Sequence, residues 1–131
     1  HNDAIIFTFR NNPAVEEKPS AYGWVVVDGS RVLDVSVKKS ISATPMNDHA
    51  IVSVFWFKKG RDFVEAAEEM IKKNDRINNE FYVDQVIKYL LHKNVAVLEV
   101  DKYFCWGTPK DYKNYENTIT YWKEFIRMEN I

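Results

Sequence analysis

The sequence predicts a mixed α/β domain, and three observations carry that expectation. Short β-prone runs at residues 4–9, 22–27, 31–39, 49–57 and 95–100 alternate with amphipathic stretches at 61–73 and 79–92. Asp28-Gly29-Ser30 separates two of the runs, which reads as a hairpin and so as an antiparallel part of the sheet. Near the end, Thr108, Pro109 and Asp111 read as N-cap, first residue and capping-box acid of a last helix.

The 131 residues have the size of a single domain, which buries roughly two-thirds of the surface its unfolded chain exposes. An aromatic content of 15% supplies a substantial core. The 18 basic and 19 acidic side chains are dispersed, giving a net charge of -1. With no block of like charge, nucleic acid and membrane surfaces are set aside as partners. Cys105 is the single cysteine, so no internal disulfide forms, which fits a reducing, cytoplasmic setting. Its aromatic neighbours favour an inert packed thiol. No apolar run reaches membrane-spanning length and no signal peptide is visible. The chain opens at His1 and enters a strand almost at once, so a preceding segment is expected.

Taken in order, Ala4–Phe9 is an almost continuous apolar run, as in a strand covered on both faces. Residues 10–21 form a polar loop containing Glu16-Glu17-Lys18-Pro19. In the second hairpin run, the period of two puts Leu33, Val35 and Val37 on one face with Lys39, and Lys38 on the polar face with Asp34 and Ser36. An inward lysine needs an anionic partner, so Lys39 is the expected ligand contact and Lys39→Ala the more damaging substitution of the two. His49–Phe57, apolar on both faces apart from Ser53, reads as the central strand.

Phe63, Ala66, Ala67, Met70 and Ile71 recur at helical spacing, as do Val83, Val86, Ile87, Leu90 and Leu91, so both stretches are read as helices covering a sheet. Glu80 and Asp84 lie four residues apart near the start of the second. Residues 103–106 are β-prone and meet Gly107, giving a strand-turn-helix corner whose backbone N–H groups suit phosphates and carboxylates. Beyond it, Tyr112, Tyr115, Ile119, Trp122 and Ile126 form an aromatic stripe, read as core or as the face of a homodimer. The four glycines make no phosphate-cradling loop, His1, His49 and His92 have no zinc spacing, and there is no nucleophile elbow.

In order along the chain stand a strand, Tyr22-Gly23-Trp24-Val25, a hairpin ending at Lys39, and Asp48-His49-Ala50-Ile51-Val52-Ser53-Val54-Phe55-Trp56-Phe57. Asn79-Glu80-Phe81-Tyr82-Val83-Asp84 and Cys105-Trp106-Gly107-Thr108-Pro109-Lys110-Asp111-Tyr112 follow. This series resembles the second half of the sugar-nucleotide pyrophosphorylase family, nucleotidyltransferases that join a nucleoside triphosphate to a sugar 1-phosphate or similar phosphate ester. The resemblance runs over residues 3–116.

It implies the second half of a three-layer Rossmann-like fold: α/β, with a mixed sheet, a β-hairpin and about three helices. The first half of such a domain carries the Gly-rich nucleotide loop and a metal-binding aspartate, and Mg²⁺ is expected for the complete domain. Residues 1–131 would then be a partial domain that binds the phosphorylated acceptor, serves nucleotide-sugar and polysaccharide biosynthesis, and does not turn over alone. By position, Gly23 would let the acceptor's sugar approach the backbone and Lys39 would contact its phosphate. Glu80 would lie beside sugar hydroxyls, Ile51, Val52 and Ser53 would line the pocket, and Trp106, Gly107 and Thr108 would form its rim.

Two departures from the family pattern stand out. The acid-acid-Lys-Pro signature falls in register on Val37-Lys38-Lys39-Ser40, while residues 16–19 copy it out of place. The corner also lacks the aspartate that serves relatives as second metal ligand, leaving Asp84 and Asp101 as replacement candidates. Two further readings stay open: a non-catalytic sugar-phosphate-binding or regulatory module of the same fold, and a glycosyltransferase of related fold.

Overall fold

The computed structural model describes residues 1–129. The chain divides after Asp101 into two compact units, each taken here by itself.

The first unit is built on five strands: β1 (Ala4–Phe9), β2 (Gly23–Asp28), β3 (Arg31–Val37), β4 (His49–Phe57) and β5 (Val95–Glu99). They close into a barrel in the order β1-β4-β2-β3-β5. This corrects the expectation of a three-layer Rossmann-like fold with an open mixed sheet. The sheet is mixed, since β1 runs parallel to β5 while the other pairs are antiparallel. Closure comes from Arg31 pairing with Ala96, reinforced by Val97 N–H donating to the Ser30 carbonyl at 2.8 Å. Alternation along single strands gives no sign of this long-range pairing.

The expected hairpin is present. Asp28 pairs with Arg31, and Gly29 takes φ +58° in the two-residue turn, a conformation a side chain disfavours. A bulge in the same hairpin shifts the expected phase. Val26 pairs with Asp34 and Val27 with Val32, so Leu33 is the extra residue and turns outward. Val32 takes the buried place that the period of two had assigned to Leu33.

β4 lies between β1 and β2, but only its first half is covered on both faces. Between the pairs Ile6 with Phe55 and Thr8 with Ile51, Phe7 alone opposes Val52, Ser53 and Val54. Ser53 absorbs the excess at φ +68°, and beyond it Val54 and Trp56 are 50% and 44% exposed. The expectation of a fully covered central strand thus fails after the bulge.

Helix α1 (Ala14–Glu17) and a 3-10 turn (Pro19–Ala21) shape the loop after β1. α2 (Gly60–Lys72) matches the first predicted helix, whereas the second is α3 (Val83–Val86) continued as a 3-10 turn (Ile87–Leu90). Phe63, Ala66 and Met70 of α2 join Val86, Ile87 and Leu90 in one core with Ile6, Val25, Val35, Ile51 and Val95 of the barrel.

The second unit holds α4 (Pro109–Glu129). Thr108 and Asp111 close the capping box read from the sequence: Asp111 N–H donates to Thr108 Oγ1 at 3.2 Å and Thr108 N–H to Asp111 Oδ2 at 3.0 Å. Residues 102–106 form no strand, which corrects the strand-turn-helix corner. Instead Trp106 packs edge-on against Tyr115, with ring centres 5.1 Å apart, and Phe104 does so at 5.6 Å. Among the described residues of α4 none is buried, so within this unit the aromatic stripe is not enclosed.

Candidate functional site

Gly23 and Ile51, read as acceptor contacts, meet the metal candidate Asp84 in the first unit although sequence separates them widely. Gly23 opens β2 opposite Val37 at the end of β3. A Cβ at Gly23 would overlap Asp84 Oδ2 and lie 3.0 Å from Ile51 Cδ1, so the missing side chain leaves room for a carboxylate from the first turn of α3. Glu80 precedes that turn and accepts a hydrogen bond from Tyr82 Oη. The arrangement brings Gly23, Ile51 and Asp84 around one spot, while the exposed Glu80 is tied to Tyr82.

The lysine of this cluster is Lys38. β3 ends at Val37, and Lys38 takes φ +60°, which breaks the two-residue alternation that placed Lys39 inward. Lys38 is half-buried and Lys39 exposed. Lys38 Nζ donates to the Ala21 carbonyl at 2.6 Å and stands 5.3 Å from the centre of the Tyr82 ring, a cation-π contact. Burial pushes the Asp84 carboxyl above the usual carboxylate range, and the Lys38 charge opposes that shift. The outcome reverses the expected order of the two lysines.

Other candidates lie elsewhere. Val52 and Ser53 sit in the β4 bulge, with Ser53 exposed. Asp101 is exposed at the end of the first unit. Trp106, Gly107 and Thr108 belong to the second unit; Trp106 is exposed and Thr108 is engaged in the cap.

The residues present do not fit a magnesium site. Magnesium asks for carboxylate oxygens, water and phosphate in near-octahedral array. Asp84 is shifted toward its neutral form and faces an ammonium, and the Glu80 carboxylate is engaged by Tyr82. Among the described residues, no three Asp, Glu, His or Cys side chains gather as a metal would require.

Two polar clusters escaped the sequence reading. At the carboxyl ends of parallel β1 and β5, Arg10 forks onto Glu99, with Nη2 to Oε2 at 2.7 Å and Nε to Oε1 at 3.1 Å. Beside this pair, the buried Thr8 hydroxyl bonds His49 Nδ1 at 2.9 Å. Burial holds the His49 imidazole below its ordinary value, with Arg10 acting in the same direction. The only hint was a threonine within an apolar strand. The second cluster borders a cleft of about 470 Å³ lined by Glu69, Lys73, Asp75, Lys88, Tyr89 and His92. There Gln85 Nε2 and Tyr89 Oη donate to Asp75 Oδ2 at 3.0 and 2.8 Å. Burial, aided by that bond to Asp75, pushes the Tyr89 hydroxyl up to about 12.

No protein-family description matches the sequence, and no curated protein matches it. Among solved structures, the chain is similar to the nucleoside-diphosphate-sugar pyrophosphorylase from Vibrio cholerae RC9, with a TM-score of 0.69 and 18% identity. The likeness covers 88% of this chain and 46% of that protein, so the chain spans about half its length. At this identity the likeness is one of fold, and it is the fold of part of a pyrophosphorylase that the chain shares.

Proposed function

We propose that this chain supplies the acceptor site of a nucleotidyltransferase that joins a nucleoside triphosphate to a sugar 1-phosphate or similar phosphate ester. In such a reaction an acceptor phosphate oxygen attacks the nucleotide α-phosphorus in line. The bond from that phosphorus to the bridging oxygen breaks, and pyrophosphate leaves. The observation that carries the reading is the meeting of Gly23, Ile51 and Asp84 at one place, with Lys38 beside Asp84 and Tyr82. The fold shared with part of a pyrophosphorylase supports it.

In this reading Lys38 positions the acceptor phosphate by charge, which Asp84 tempers. Its side chain is already held by the Ala21 carbonyl and the Tyr82 ring, so little rotamer freedom is lost on binding. Gly23 lets the Asp84 carboxylate lie against the backbone, and the Tyr82 ring beside Lys38 offers an aromatic surface to the acceptor.

Calorimetric titration with glucose 1-phosphate and with glycerol 3-phosphate tests the reading. Binding is expected for at least one ester, weakened about tenfold or more by Lys38→Ala and little by Lys39→Ala, as for loss of a charge-assisted contact. Equal losses from the two substitutions, or no heat with either ester at millimolar concentration, would sink it. Metal-independent binding by the full-length protein without pyrophosphate release would instead identify a non-catalytic module.

A further inference from the structure

We infer that Glu80 and Tyr82 form a prop that positions the Lys38 ammonium, so that Glu80 acts on the acceptor site through Tyr82 and without touching the acceptor. The inference rests on the reading of Lys38 as the phosphate contact and gives its two neighbours positioning roles.

The prop is built from the backbone upward. Asn78 and Asn79 take φ +50° and +64°, the pair of left-handed residues that a type I′ turn demands. Ile77 and Glu80 bracket them as an antiparallel bridge, each N–H donating to the other's carbonyl at 2.9 Å. Arg76 closes the turn: its Nη1 donates to the Asn79 carbonyl at 3.1 Å, and its guanidinium lies 4.2 Å from the centre of the Phe81 ring. Ile77, Phe81 and Tyr82 pack against the core of the first unit. Glu80 therefore leaves the turn with its backbone fixed.

From that fixed point the contacts run toward the lysine. Tyr82 Oη donates to Glu80 Oε2, the centre of the Tyr82 ring stands 5.3 Å from Lys38 Nζ, and Lys38 Nζ donates to the Ala21 carbonyl at 2.6 Å. A phenol that donates to a carboxylate gains electron density on its ring, and a ring face richer in electrons holds a cation more strongly. The same hydrogen bond raises the Tyr82 hydroxyl above its ordinary value. A lysine stem is flexible, so the carbonyl and the ring face together are what confine this ammonium. Removing the Glu80 charge weakens the second of these two holds.

Proton NMR of the whole chain tests the inference without any ligand. The Lys38 protons beside the ammonium should be shifted upfield by the Tyr82 ring. Tyr82→Leu should abolish that shift, and Glu80→Gln should reduce it. Calorimetric titration with glucose 1-phosphate and glycerol 3-phosphate then reads the coupling. Glu80→Gln should weaken ester binding about threefold in the parent, the scale of one exposed cation-π contact. In a Tyr82→Phe background the same substitution should do nothing, because the hydroxyl that links the two is gone. Far-UV circular dichroism of each variant checks that the fold is kept. A Glu80→Gln loss that persists beside Tyr82→Phe would put Glu80 on the acceptor itself and overturn the inference, as would a Lys38 shift indifferent to both substitutions. No binding of either ester, alongside a Lys38 shift that depends on Glu80, would support the positioning and sink the acceptor reading alone.

Discussion

The barrel and the terminal helix are stabilised by different physics. In the first unit Trp24 is taken out of water altogether: it is 0% exposed, its indole N–H donates to the Pro19 carbonyl at 3.0 Å, and Tyr22 meets it edge-on. In the second, Trp122 sits on a helix whose order rests on local chemistry, a capping box and the spacing of its own side chains. Two tryptophans of one chain thus stand in opposite relation to folding. Burial by partners distant in sequence supports one unit, and the reach of a single helical turn supports much of the other.

The sharpest break of this comparison is a pair of truncations. Trp24→Ala should cost the first unit about 3–5 kcal/mol, because both the transfer energy and a cavity enter. Trp122→Ala in dilute solution should cost about 0.5 kcal/mol or less, as expected for a surface position. Urea unfolding followed by far-UV circular dichroism measures both, and comparable losses would erase the distinction.

Gly23→Ala comes next. It should destabilise by about 1–3 kcal/mol through overpacking against Asp84. Adding Asp84→Ala should recover much of that loss, since the two positions share one space. A doubly substituted chain no more stable than Gly23→Ala would show that the clash is not with the carboxylate.

Thr108→Ala removes the N-cap of α4 and should lower stability by about 1 kcal/mol. The change should appear as a loss of helical dichroism at 222 nm with the barrel's unfolding midpoint unmoved. Movement of both transitions together would show that the units do not respond separately.

The smallest effect expected is the pH dependence from His49. Its folded pKa lies below the unfolded value, through burial first and Arg10 second. The stability it contributes is therefore fully present above the unfolded value near pH 6.5 and is lost as pH falls through the folded pKa. His49→Gln should flatten the melting-temperature profile on the acid side of neutrality. An unchanged slope would place the titration elsewhere.

What the sequence made legible was local. The turn at Gly29, the capping box of Thr108 and Asp111, and the faces of α2 follow from chemistry within a few residues. Closure through Arg31 and Ala96 joins strands far apart in the chain, and the excess residues at Leu33 and Ser53 reset a phase that strict alternation had carried forward. The candidate site was legible to the same extent. Gly23, Ile51 and Asp84 were found by position and are brought together, whereas Thr8, His49, Arg10 and Glu99 form a cluster that only folding assembles.

The left-handed backbone at Lys38 has a consequence for how such proteins are compared. Where a strand ends, one dihedral decides which of two identical neighbours looks inward, so counting residues from a motif can assign a role to the wrong twin. Holding a lysine there costs about 1–2 kcal/mol relative to ordinary backbone. A glycine would relieve that cost while removing the ammonium, so exchanging the residue weighs backbone ease against the Lys38 contacts to the Ala21 carbonyl and the Tyr82 ring.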